Sequence, residues 1–382
     1  MPRRSNDISQ RSGLAATVSG RSQSWRSRSR VTVRAGATAV ALTLAGLCTA
    51  CGAGNSQHLS AISGAHSLES ALLSTGKTHY PVTVHDCTGT QTYDKAPGRI
   101  VTLDDSATDT LIAMGLTSKI VAVTKFETPS QEWPEDASIV DKLHGLSYGN
   151  AYPSLESILA LRPDIIVSDF PSAFAQGIGP ATPQRWQSLG IASYETLSDC
   201  GQYSSTPEYN FNRLYTDIHN LGVIFNVQAS AARLIRHLQT EVAADHTLAK
   251  KAGLGNYRIG EVNGMTSSPG TLGVTTANAI IAETGSTYAF LKYDTNLNIN
   301  VSWEEVVRTN PQVFWLITDS GFTVSHVEHF LQTNPHLHTV QAIKNQAYVP
   351  ISYFAAAGSP RAVDAVRLMV DGLIKLKREG KL

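Results

Sequence analysis

Two stretches of this 382-residue chain repeat each other. "PSLESILALRPDIIVSD", Pro153 to Asp169, returns as "NVSWEEVVRTNPQVFWLITD", Asn300 to Asp319. Ser154 matches Ser302, Glu156 matches Glu304, Ile158 matches Val306, Pro163 matches Pro311 and Ile165 matches Val313, all at one offset of 148 residues. Each copy holds a capping hydroxyl, a carboxylate in the first helical turn, apolar residues at helical spacing, a proline and then a β-branched run. That is a short helix turning into a buried strand. A chain that builds the same corner twice is constrained to two related α/β lobes.

The surrounding sequence supports such lobes. "RIVTL" (Arg99–Leu103), "KIVAVT" (Lys119–Thr124), "DIIVS" and "IASYE" predict strands in the first half, and "YRIGEVN", "VFWLIT" and "QAYVP" predict them in the second. Strands alternating with short helices imply parallel sheets covered on both faces. In "DDSATDTLIAMG", Ser106 is the expected N-cap, Asp109 favours the first turn, and Gly115 can end the helix. Between the halves, Phe211, Leu214, Ile218 and Leu221 recur at helical spacing, as do Ala231, Leu234, Ile235, Leu238 and Val242. The expected layout is an export signal at 1–50, a tether at 51–78, an amino-terminal α/β lobe at 79–206, a helical spacer at 207–252 and a carboxyl-terminal α/β lobe at 253–382. A ligand cleft would lie between the lobes.

The first fifty residues carry eight arginines against one aspartate, followed by an uncharged run from Ala35 to Ala50. A basic segment before about sixteen small or apolar residues predicts an export signal rather than a permanent span. The whole chain is neutral, so its removal leaves a charge of about −7, which disfavours nucleic acid as a partner. The run ends in "LCTACGAGNSQ", which resembles a bacterial lipobox with Cys51 as the acylated residue. Cys48 stands where that motif usually has leucine. A lipid chain at Cys51 would tether the protein to a membrane without spanning it.

Cys87 and Cys200 remain. In an exported chain they form either a disulfide or two unrelated buried thiols.

Loops after strands supply the cleft candidates: Ser106, Lys125, Phe126, His144, Tyr148 and Phe170 in the first lobe, and Asn263, Met265, Phe322, Tyr353 and Phe354 in the second. Aromatic faces with scattered polar groups suit a bulky chelate better than a naked ion. A bare Zn²⁺ or Mn²⁺ site needs three or four converging ligands, and His144 is the only histidine expected at a cleft loop. His326, His329, His336 and His338 fall in one helical region expected to face solvent. There is no H-E-x-x-H or G-x-x-x-x-G-K-S/T pattern, and the chain is not expected to be an enzyme or to need a cofactor.

"APGRIVTLDDSATDTLIAMGLTSKIVAVT", "SLESILALRPDIIVSD", "VSWEEVVRTNPQVFWLITD" and "SPRAVDAVRLMVDGL" resemble segments of periplasmic-type binding proteins for iron-siderophores and cobalamin, the substrate-binding components of ABC importers. The resemblance runs from about Val84 to the C-terminus. It departs at Asp109, where the family usually has glutamate. The likeness implies a lipoprotein on the outer face of the cytoplasmic membrane that captures a ferric siderophore, or else cobalamin or haem. It implies that Glu156 and Glu304 dock onto arginines of a permease dimer, and that Cys87 pairs with Cys200 as in actinobacterial members. A bare-metal binder and a non-transport surface scaffold remain as alternatives; a scaffold gives no reason for the paired glutamates.

Overall fold

The computed structural model of the chain describes residues 70–125, 138–147, 151–198, 200, 210–263, 270–271, 275–290, 299–318 and 323–382. The expected export signal, Cys51 and the expected tether up to residue 69 lie outside the described residues. Among the described residues no helix is long and apolar enough to cross a membrane.

The first lobe opens with an antiparallel hairpin, β1 (Val82–Asp86) and β2 (Gly89–Tyr93), in which Val82 faces Tyr93. It precedes "RIVTL", the first strand predicted from sequence. The sheet that follows is parallel throughout, in the order β5-β4-β3-β6-β7. Its strands are β3 (Ile100–Thr102), β4 (Ile120–Lys125), β5 (Gly145–Ser147), β6 (Ile165–Ser168) and β7 (Ala192–Glu195). The helices α1 (Asp105–Ala113), α2 (Leu155–Ala160) and α3 (Pro183–Ser188) connect them. Strand β6 is buried along its whole length. Ile165 and Val167 join the large core on one face, and Ile166 joins the smaller cluster around Trp186 on the other. A strand covered on both faces has no polar side to alternate with, hence the unbroken apolar run.

Helix α1 corrects one expectation. Its N-cap is Asp104, whose side chain accepts from the Ala107 amide at 2.8 Å; Ser106 is buried within the first turn. Three capping residues stand in a row here, and the carboxylate takes the position.

The expected spacer is two helices, α4 (Asn212–Phe225) and α5 (Gln228–Lys251). The chain breaks at Asn226, which is left-handed (φ 56°), a conformation that asparagine tolerates. Thr78 holds the break: its amide donates to Asn226 Oδ1 (3.0 Å) and its hydroxyl to the Val223 carbonyl (2.6 Å). Gly222 lets the helices meet, since a Cβ there would lie 2.6 Å from that of Ala231.

The second lobe repeats the parallel design in the order β10-β8-β12-β13. Its strands are β8 (Arg258–Asn263), β10 (Thr287–Tyr288), β12 (Val313–Thr318) and β13 (Tyr348–Ser352), beside a small antiparallel pair, β9 (Gly270–Thr271) and β11 (Ile299–Asn300). The helices are α6 (Thr275–Glu283), α7 (Trp303–Thr309), α8 (Val324–Thr333), α9 (Gln341–Lys344), α10 (Tyr353–Ala356) and α11 (Arg361–Arg378). The registers of the central pairs correspond. Ile100 faces Ile165 in the first sheet and Ile259 faces Val313 in the second.

One buried apolar cluster runs from Leu111 and Ile165 through Ile218, Leu221, Ala231 and Ile235 to Val366 and Met369. The connector is therefore part of the core. Helix α4 bonds to the first lobe through Asp217, which accepts from the Tyr194 hydroxyl (2.7 Å), the Leu197 amide (2.8 Å) and the Ser198 amide and hydroxyl (3.0 and 2.8 Å). Helix α5 bonds to the second, with Asp245 to Arg367 at 2.6 Å and His246 to Glu283 at 3.2 Å. Cys87 and Cys200 form a disulfide with Cα atoms 5.7 Å apart, tying the hairpin turn to the segment after β7.

Burial raises the Asp217 carboxyl to about 6 from 3.8, although four donors favour its charged form. The folded chain holds this proton more tightly than the unfolded chain, so the stabilisation is complete below about pH 4 and is lost as pH rises through 6. Two units correspond to roughly 3 kcal/mol. Asp217→Asn should remove about that much of the decline in unfolding free energy between pH 4 and 7, apart from a constant cost for the altered hydrogen bonds. Urea denaturation of both proteins across that range measures it.

Candidate functional site

In a parallel sheet every strand ends on the same edge, and ligands collect there, where the strand order reverses. The reversal falls between β3 and β6 in the first lobe and between β8 and β12 in the second. The two carboxyl edges meet. Asp169, the residue after β6, accepts from the backbone N–H of Gly358, six residues beyond β13, at 3.0 Å.

The first reversal point is closed by a knot of polar groups. Asp104 accepts from the Ser168 hydroxyl (2.6 Å), the Asp169 amide (2.7 Å) and the Ala107 amide. Burial pushes its carboxyl above the usual range, against those hydrogen bonds. Asp169 also accepts from the Thr196 hydroxyl. Gly358 fits only because it lacks a side chain: a Cβ would lie 2.3 Å from Ser198 Cβ and 2.6 Å from an Asp169 oxygen.

A second tie crosses the seam. Asp109 of α1 meets Arg361 at the start of α11, Oδ2 to Nε 2.5 Å, with 4% and 3% of their side chains exposed. Asp109, noted in the sequence for its departure from glutamate, thus joins the lobes from inside.

The eleven cleft candidates fall unevenly around this floor. Phe170 follows Asp169 directly and is partly exposed. Ser106 lies in the buried first turn of α1. Lys125 and Asn263 end β4 and β8, and Tyr353 and Phe354 open α10 directly after β13, so the backbone places all four at carboxyl edges. His144 corrects the expected geometry: it stands just before β5, at the amino end, with its carbonyl accepting from Val123. Phe126, Tyr148, Met265 and Phe322 lie outside the described residues. His326, His329, His336 and His338 are exposed. Among the described residues no group of three histidine, cysteine or acidic side chains is placed to hold a metal ion.

The repeated corners match in their caps and first turns. Ser154 caps α2 by accepting from the Ser157 amide, and Ser302 caps α7 by accepting from Glu305, both at 3.2 Å. Glu156 and Glu304 are exposed in the first turns. The helices run back against their strands, so both carboxylates stand toward the carboxyl edges. The local backbone N–H and then the Ser302 hydroxyl hold the Glu304 carboxyl below its ordinary range. Sequence reading missed what holds each corner's other end. Arg99 donates to the carbonyls of Arg162 (3.0 Å) and Leu161 (2.7 Å), and Arg258 to those of Thr309 (3.2 Å) and Asn310 (2.9 Å).

Two α/β lobes with facing carboxyl edges and a helical connector define a two-lobed binding protein. The periplasmic binding protein family model matches residues 100–349, and the chain belongs to that family. It is 24% identical over 166 residues to YvrC, an ABC transporter substrate-binding lipoprotein of Bacillus subtilis, covering 43% of this chain and 46% of that protein. The match thus spans about half the length of this relative. The fold resembles an ABC-type Fe³⁺-hydroxamate transport protein from Saccharomonospora viridis, with TM-score 0.65, 21% identity and coverage of 77% of this chain and 99% of that one. It also resembles the periplasmic haem-binding protein RhuT from Roseiflexus, with TM-score 0.55, 19% identity and coverage of 73% and 98%.

Removing one partner of a buried ion pair leaves a charge without compensation and costs about 3–5 kcal/mol, whereas replacing both with apolar residues is often neutral. Asp109→Ala should therefore lower the unfolding free energy by about that amount. Asp109→Leu with Arg361→Met should recover most of it in urea denaturation.

Proposed function

We propose that the protein is the extracytoplasmic binding component of an ABC importer, anchored by a lipid on Cys51, and that it captures a ferric siderophore and delivers it to a membrane permease. The observation that carries this reading is the pair of equivalent corners presenting Glu156 and Glu304. A carboxylate on each related lobe suits a two-fold partner bearing arginines, and charge-assisted pairs would set its orientation. Family membership supports a binding role over a catalytic one, and the Fe³⁺-hydroxamate transport protein supports iron-chelate cargo. Likeness to RhuT favours haem as the second reading. Phe170, partly exposed beside Asp169, supplies aromatic surface at the carboxyl edge for either ligand.

Equilibrium titration of the purified protein tests the cargo, using hydroxamate and catecholate ferric siderophores, cobalamin, haem, Zn²⁺ and Mn²⁺. Saturable binding of one ferric siderophore, weaker for its iron-free form, is expected. Binding of haem alone replaces the substrate and keeps the class. A response to bare Zn²⁺ or Mn²⁺ alone removes the chelate reading, and no binding at all favours a surface scaffold. For docking, Glu156→Ala with Glu304→Ala should abolish uptake in cells while ligand affinity stays unchanged; loss of both together would place these residues elsewhere in the mechanism.

A further inference from the structure

The clamp at each corner is duplicated as fully as the glutamate it backs. Arg99 and Arg258 stand in equivalent positions, one residue before the paired Ile100 and Ile259. Each reaches the same two carbonyls of its corner, 161 and 162 in one lobe and 309 and 310 in the other. Each also has its backbone held from the corner. The Arg99 amide donates to Asp164 Oδ2 (3.0 Å) and the Arg258 amide to Gln312 Oε1 (3.1 Å), while the amides of Asp164 and Gln312 return a bond to each arginine carbonyl at 2.8 Å.

The clamped turn contains a left-handed residue in both lobes, Arg162 (φ 48°) and Asn310 (φ 45°). Asparagine accepts this conformation, but arginine has no local hydrogen bond to offset it. Such a residue persists where its surroundings hold it. The Arg99 guanidinium on the Arg162 carbonyl does so. A cation over the last carbonyls of a helix also complements its dipole. Helices α2 and α7 are short, so fixing the exit turn fixes the axis that carries the first-turn glutamate.

We infer that Arg99 and Arg258 are positioning residues for docking, each holding the carboxylate of its own lobe, Glu156 or Glu304, in the place the permease reads. This rests on the docking role proposed above. Arg99 and Arg258 are themselves exposed and stand at the amino ends of their strands, away from the edge where the glutamates lie. They act through the helices and not by contact with the partner.

A double-mutant cycle tests this by equilibrium binding of the ligand-free protein to the permease in nanodiscs, so that no cargo need be known. Arg99→Met should weaken binding at least about twofold, the lower range for residues coupled through one structural element. The same change should appear in a Glu304→Ala background and vanish in a Glu156→Ala background. Arg258→Met should show the converse, and Arg99→Lys, which keeps the charge but lacks the planar fork of donors, should recover only part. An equal loss from Arg99→Met in both backgrounds, or none in either, overturns the inference. If Glu156→Ala and Glu304→Ala themselves leave binding unchanged, the docking reading fails first. Thermal unfolding midpoints identify any variant that loses binding by unfolding, and for that variant Arg99→Gln carries the cycle in its place.

Discussion

The buried pair of Asp109 and Arg361 fixes how the two lobes sit on one another. Two charges with 4% and 3% of their side chains exposed have surrendered most of their hydration, and their attraction does little more than offset that loss. Such a pair contributes direction more than net stability. Any other alignment of α1 against α11 would leave a guanidinium or a carboxylate in a low-dielectric seam without its counter-charge. Gly358 against Asp169 and Ser198 adds a second constraint a few residues away. Ion pair and glycine contact together make the floor of the cleft a fixed joint.

The connector belongs to the same design. In a spacer of two helices the natural place for a hinge is Asn226, where the chain turns. Three hydrogen bonds join Thr78 to this break: its amide to Asn226, its hydroxyl to Val223, and Gln228 to that same hydroxyl. The apolar cluster passes through both helices without interruption. Bending there would open a packed core, which interiors resist because their contacts are close and discrete. The left-handed residue is a corner of the fold and offers little freedom to the lobes.

What the sequence made legible was local. The corners declared themselves through caps, first-turn acids and β-branched runs, because those signals lie within twenty residues of one another. The strand segments followed from apolar runs that parallel sheets require on both faces. What stayed hidden depended on distance along the chain. Asp109 and Arg361 are 252 residues apart, and nothing in either segment names the other. Arg99 and Arg258 escaped for a subtler reason. Their offset is 159 while that of the corners is 148, since the segment between strand and corner differs in length between lobes. A repeat sought at one spacing finds the corner and loses its clamp. Ser106 was displaced as N-cap by Asp104 because a carboxylate there satisfies α1 and the start of the segment after β6 at once, a demand from the sheet that local propensity does not contain. His144 was placed by the assumption that its segment follows a strand, whereas β5 begins immediately after it and is only three residues long.

The polar knot at the first reversal point bears on where specificity resides. In many parallel sheets that crevice is open and receives the ligand's charged group. Here Asp104, Ser168, Asp169, Thr196 and the Gly358 amide satisfy one another across it. Donors already committed within the protein offer a ligand little, since breaking them would expose buried carboxylates to an exchange that gains no hydrogen bond. Under the proposed function, recognition then falls to groups outside this knot, with partly exposed Phe170 beside it. The molecule divides its work accordingly. Residues at the strand ends hold the lobes together, while the cargo contacts and docking charges of the proposed function fall outside this joint.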